Sequence, residues 1–161
     1  YNINRGFSIH LYDGHTQVGS TNVAILNNTF ALPAPYVAGG HIILATPSVT
    51  NSLIANNIFY QPKNSLAINY YALTMSNVVV QNNITYQGVI SAASPPAGIT
   101  FAGNLDNTDP RLVSPSTHDF HLQAGSPAID AGVSTTPTVT TDFDGIARPQ
   151  GAAIDIGAFE Y

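Results

Sequence analysis

The densest group of side chains able to do chemistry is His10-Leu11-Tyr12-Asp13-Gly14-His15, one carboxylate and two imidazoles within six residues. Imidazole titrates near neutral pH and a carboxylate can hold its tautomer, so His10, Asp13 and His15 are the candidate acid/base or metal-ligating set. The competing reading is an ordinary Asp-Gly turn at a strand end. A second group, Asp130, Asp142, Asp144 and Asp155 around Arg148, reads first as an ion-pair network. Its alternative is a Ca²⁺ site, because hard cations take several carboxylate and carbonyl oxygens. With no Cys in the chain, thiolate zinc sites, disulfides and cysteine catalysis are excluded.

The elements that must position these groups are repetitive. Val23–Phe30, Ser52–Phe59, Val78–Thr85 and Ile99–Asp106 superpose without gaps, and their second Asn recurs at Asn28, Asn57, Asn83 and Asn104, at intervals of 29, 26 and 21 residues. Between the copies lies a second strand-like set: Phe7–Tyr12, Gly40–Ala45, Leu66–Tyr71 and, more weakly, Val89–Ala92. Each period is expected to hold two short strands and two turns. β-branched and aromatic residues near period 2, punctuated by Asn-Asn or Gly, argue against helix. A unit this short buries its apolar face only by stacking, at about 4.8 Å per rung. Stacked Asn amides then donate and accept along the axis as a ladder. The preceding position (Asn27, Asn56, Asn82, Gly103) suits a positive-φ turn residue. The glycosylation patterns at Asn27 and Asn83 fall on these turns and are discounted accordingly.

If Phe7, Ile9 and Leu11 point inward, Ser8, His10 and Tyr12 point outward. The following units add His41, Ile43 and Ala45, then Ala67, Asn69 and Tyr71. Tyr12 and Tyr71 then share one outward face, with His10, His41 and Asn69 beside them as candidate hydrogen-bond partners for a ligand.

At 161 residues the chain is one domain's worth, and only 8% of it is charged. Up to residue 105, Asp13 stands against Arg5 and Lys63; beyond it, eight acids stand against Arg111 and Arg148, turning a net charge of +1 into −6. The expected division is residues 1–105 as stacked units and 106–161 as a capping segment of the same domain. Without Lys/Arg clusters or a long apolar run, neither a nucleic-acid partner nor membrane insertion is expected. The opening Tyr1-Asn2-Ile3-Asn4-Arg5 has no apolar signal region, as in a mature chain or a piece of a longer one.

The tail reads Gly125-Ser126-Pro127-Ala128-Ile129-Asp130-Ala131-Gly132, then Asp142-Phe143-Asp144-Gly145-Ile146-Ala147-Arg148, then Asp155-Ile156-Gly157-Ala158-Phe159-Glu160. This series resembles the C-terminal end of secreted bacterial proteins of the pectate-lyase-like superfamily. The resemblance implies an all-β fold, a right-handed parallel β-helix of about four coils with an irregular C-terminal cap, in a secreted or cell-surface protein. It also implies a polysaccharide partner on the outer sheet face and a polysaccharide lyase or glycoside hydrolase, with catalytic groups partly upstream of Tyr1. Lys and Arg are scarce in the coils and Asp13 is their only acid, which speaks against a complete lyase or hydrolase site. The other reading is a non-catalytic structural or adhesive module, with further coils or another chain at its N-terminal face. No cofactor other than Ca²⁺ is implied.

Overall fold

The structure, a computed structural model, describes residues 9–11, 18–31, 41–61, 66–72, 74–90, 94 and 96–161. Its strands follow one another in rounds. The first round supplies β1 (Ile9–Leu11), β2 (Ser20–Thr21), β3 (Ala24–Leu26) and β4 (Thr29–Ala31). The second supplies β5 (Ile42–Leu44), β6 (Ser48–Ala55) and β7 (Ile58–Tyr60), and the third β8 (Ile68–Tyr70), β9 (Thr74–Gln81) and β10 (Ile84–Tyr86). β11 (Ile99–Ala102) begins a further round, and β12 (Leu112–Ser114) and β13 (Asp119–Leu122) form an antiparallel pair in the tail.

The rounds stack into three parallel sheets, ordered β1-β5-β8, β11-β9-β6 with β2 and β3 both on β6, and β10-β7-β4. The gapless repeat is the register: Ala24, Leu53, Val79 and Thr100 pair in a row, as do Ile9, Ile42 and Ile68. The second and third rounds each hold three strands rather than the two expected, and in the first the place of β6 is taken by the two shorter strands β2 and β3. The Asn-Asn segment is a corner, because positive φ at Asn27, Asn56 and Asn82 (48–57°) bends the chain from the second sheet into the third. Gly103, at φ 59°, makes the same bend after β11.

The second Asn of each corner forms the expected ladder. Asn28 Nδ2 donates to Asn57 Oδ1 (3.0 Å), Asn57 Nδ2 to Asn83 Oδ1 (2.9 Å) and Asn83 Nδ2 to Asn104 Oδ1 (2.9 Å). The backbone N–H groups of Asn28, Asn57 and Asn83 donate to the same three oxygens. Asn57 and Asn83 are fully buried, and Asn27 is buried too, so neither sequon is an accessible acceptor. A second column went unnoticed in the sequence although it keeps the same intervals: Asn22, Asn51, Asn77 and Gly98, all at positive φ. There Asn77 Nδ2 donates to Asn51 Oδ1 at the surface.

Inside the rounds, Ile25, Phe30, Ile42, Leu44, Val49, Ile54, Phe59, Ile68, Val78 and Val80 make the main core. A second cluster joins Ile58 and Ile84, on the outer side of the third sheet, to Leu112, Leu122, Ala128 and Ile156 of the tail. The tail therefore lies along the flank of the stack and reaches back to its first round. Asn82 Nδ2 donates to Ala131 O, Asn56 Nδ2 to Val133 O, Asn27 Nδ2 to Asp155 O, and Ala158 N–H to Thr29 Oγ1. The first Asn of each corner thus both bends the chain and holds the cover in place. The approach is close at Gly157 (φ 105°), where a Cβ would lie 2.7 Å from Ile58 Cδ1. At that φ a side chain would be strained, and the Ile58 side chain would have to shift to admit it.

Candidate functional site

Sheet register places His10, Ile43 and Asn69 in one row on the outward side of the first sheet. The ladder continues past the strands, with Ala45 N–H on Leu11 O and Tyr71 N–H on Leu44 O, so Tyr71 follows Asn69 on that side. His10 is exposed and Tyr71 is 65% exposed, whereas Ile43 is buried and Asn69 half-buried. Exposure therefore falls from His10 to Ile43 and rises again toward Tyr71. Asn69 Nδ2 is buried without a hydrogen-bond partner, the kind of donor that a water or ligand acceptor normally completes. Tyr12, Asp13 and His15 lie outside the described residues, so of the acid/base set only His10 is placed.

His41 departs from its expected outward position. It is fully buried, its ring 5.7 Å from that of Phe30 and 5.8 Å from that of Phe59, with Nε2 3.2 Å from Tyr60 O. The residue precedes β5 at a corner, where strand alternation no longer dictates direction, and its ring fills space beside the stacked Phe30 and Phe59. Burial lowers its pKa from 6.5 to about 4, a fall only partly opposed by the hydrogen bond to the Tyr60 carbonyl.

The four aspartates of the calcium reading do not converge. Asp142 Oδ1 accepts from the N–H groups of Asp144 and Ile146 and Oδ2 from Glu160 N–H. Asp155 accepts from Asp130 N–H and Tyr161 N–H, Asp130 from Ala153 N–H, and Asp144 faces His121. Among the described residues, no three His, Cys, Asp or Glu side chains are gathered to hold a metal. The carboxylates instead serve backbone donors in a segment with few ladder bonds of its own. Burial pushes the Asp155 carboxyl up; at Asp142 burial acts the same way but is outweighed by its three backbone donors and Arg148, so that pKa falls.

Arg148 is not paired with these aspartates either. Its guanidinium, 1% exposed, meets the fully buried carboxylate of Glu160 and donates to Asp155 O and Gly157 O. Glu160 stands at the end of the last tail motif, and nothing in the spacing singled it out from the nearer aspartates.

One polar cluster escaped the sequence reading. His121 on β13 has Nδ1 2.7 Å from Asp119 Oδ1 and Nε2 2.8 Å from Asp144 Oδ2. Its ring packs 4.1 Å from that of Phe159, which in turn meets the 79% exposed Phe143 edge-on. Asp119 and His121 share one side of a strand by their i, i+2 spacing, a signal visible in the sequence. Asp144, 23 residues further on, was not. Both carboxylates raise the His121 pKa, Asp144 most, and His121 in turn lowers that of Asp119.

No protein-family model, curated protein or solved structure matches the chain. The likeness to the pectate-lyase-like superfamily therefore rests on the tail motifs alone. No helix among the described residues is long and apolar enough to cross a membrane.

Proposed function

We propose that the chain is a right-handed parallel β-helix of about four coils, part of a secreted protein of the pectate-lyase-like kind, that binds neutral polysaccharide on the outward face of its first sheet. The observation that carries this reading is the row His10–Ile43–Asn69 with Tyr71 at its end: an exposed ring and an exposed imidazole on one side of a sheet whose described outward residues bear no carboxylate or ammonium. Aromatic faces stack on the apolar faces of sugar rings while amide and imidazole groups bond their hydroxyls. An uncharged floor favours a neutral polymer over a polyuronate. Three parallel sheets built from successive rounds and an unbroken Asn ladder support the β-helix.

Binding is proposed rather than turnover, since cleaving a glycosidic bond takes two carboxylates in one cleft and the described row offers none. Affinity electrophoresis against neutral and uronic polysaccharides, with assays for reducing ends and unsaturated products, tests this. Retardation by a neutral polymer, lost in Tyr71→Ala and Asn69→Ala, is expected. Equal migration with and without every polymer, or unchanged retardation of both variants, overturns it.

A second reading, a structural or adhesive module, draws on β11. Among the described strands it pairs only with β9, leaving an edge able to accept another strand. Concentration-dependent assembly in light scattering supports that reading, and a monodisperse monomer at high concentration refutes it.

A further inference from the structure

We infer that His121 is a pH-operated tie between the β12–β13 pair and the turn at 142–145, closed while the imidazole is doubly protonated and opened when it loses a proton. An ionised carboxylate only accepts hydrogen bonds, and a neutral imidazole carries one N–H. Both ring nitrogens of His121 lie at hydrogen-bond distance from carboxylate oxygens, 2.7 Å to Asp119 and 2.8 Å to Asp144. The ring satisfies both partners only as imidazolium.

The two contacts differ in what they hold. Asp119 is on the same strand, and its Oδ1 also accepts the His121 backbone N–H, so that contact is local. Asp144 is brought in from the turn that carries Phe143. When one proton leaves, the local Asp119 bond keeps the remaining N–H on Nδ1, and the long-range contact at Nε2 is lost. Opening changes no fold, because the turn keeps its own bonds: Phe143 N–H on Ala158 O, Gly145 N–H on Asp142 O, and the three donors on Asp142. It detaches the β-pair from the turn and leaves the His121–Phe159 contact to packing alone.

The titratable groups facing the ring are few. From its own strand there is Asp119, and from the turn there is Asp144. Asp142 is turned away onto backbone donors, and from the last segment Glu160 is committed to Arg148. The pKa of His121 is raised, so the tie is present below the ordinary histidine value and is lost as pH rises through the raised one. That order is opposite to the behaviour of buried His41.

NMR titration of the histidine rings in the full chain, with His121→Gln to assign the signal, tests this directly. His121 is expected to be imidazolium at pH 6, to titrate above the ordinary histidine value, and to move to lower pH in Asp144→Asn. A thermal double-mutant cycle of His121→Gln and Asp144→Asn gives a second readout, with a coupling in Tm at pH 6 that disappears at pH 9. A neutral ring at pH 6, a midpoint indifferent to Asp144→Asn, or the same coupling at both pH values would each overturn the inference. Both side chains are about half exposed, so the variants fold, and the wild-type titration stands independently of them.

Discussion

His41 is expected to make its own contribution to the weakening of the fold on acidification. A histidine of pKa 6.5 in the unfolded chain falls to about 4 in its place beside Phe30 and Phe59. The folded protein therefore prefers the neutral ring, and the stability it contributes is present above pH 6.5 and lost as pH falls toward 4. At 1.36 kcal/mol per pKa unit, the full loss is about 3 kcal/mol, of which about 2.5 kcal/mol falls between pH 7.5 and pH 4.5. A loss of that size is a large part of a typical domain's total stability. The perturbation is His41→Leu, which removes the titrating group from the same apolar surroundings. At pH 7.5 the variant gives up the contact with Tyr60 O, worth about 1 kcal/mol, and starts less stable than wild type. Urea unfolding of both proteins at pH 7.5 and 4.5 separates the effects. Titrations of Asp142, Asp155 and His121 are common to both and cancel in the difference. Wild type is expected to lose about 2.5 kcal/mol more than the variant over this range, with equal m-values. Parallel losses would refute the assignment of acid sensitivity to His41.

Three other substitutions, one of them extended to a double variant, probe the polar framework. Asn57→Ala removes the acceptor of Asn28 N–H and the donor to Ile25 O, Ala55 O and Asn83 Oδ1, and at about 1–3 kcal/mol per buried unpaired group it is expected to cost about 3 kcal/mol or more. Asn77→Ala, on the exposed ladder, is expected to cost about 1 kcal/mol or less by the same unfolding measurement. Arg148→Met strands the buried Glu160 carboxylate and is expected to cost about 3–5 kcal/mol, and adding Glu160→Gln is expected to cost much less than the sum of the single changes, as calorimetry would show.

What the residues determine unaided is the stacking. The Asn intervals and the alternation around Ile9, Ile42 and Ile68 fix which residue lies over which, because a repeated unit meets the same neighbour at every rung. The number of strands per round was less legible, since a corner inside Val23–Phe30 is set by φ at Asn27 and not by any change in hydrophobic pattern. The tail has no period, and there the sequence shows only which charges exist. Docking along the flank decided that Arg148 meets Glu160, that Asp142 and Asp155 serve backbone amides, and that Asp144 reaches His121. His41 belongs with these cases. Its identity and spacing fit an outward ligand as well as a buried ring, and the space beside Phe30 and Phe59, which exists only once the rounds have stacked, draws it inside.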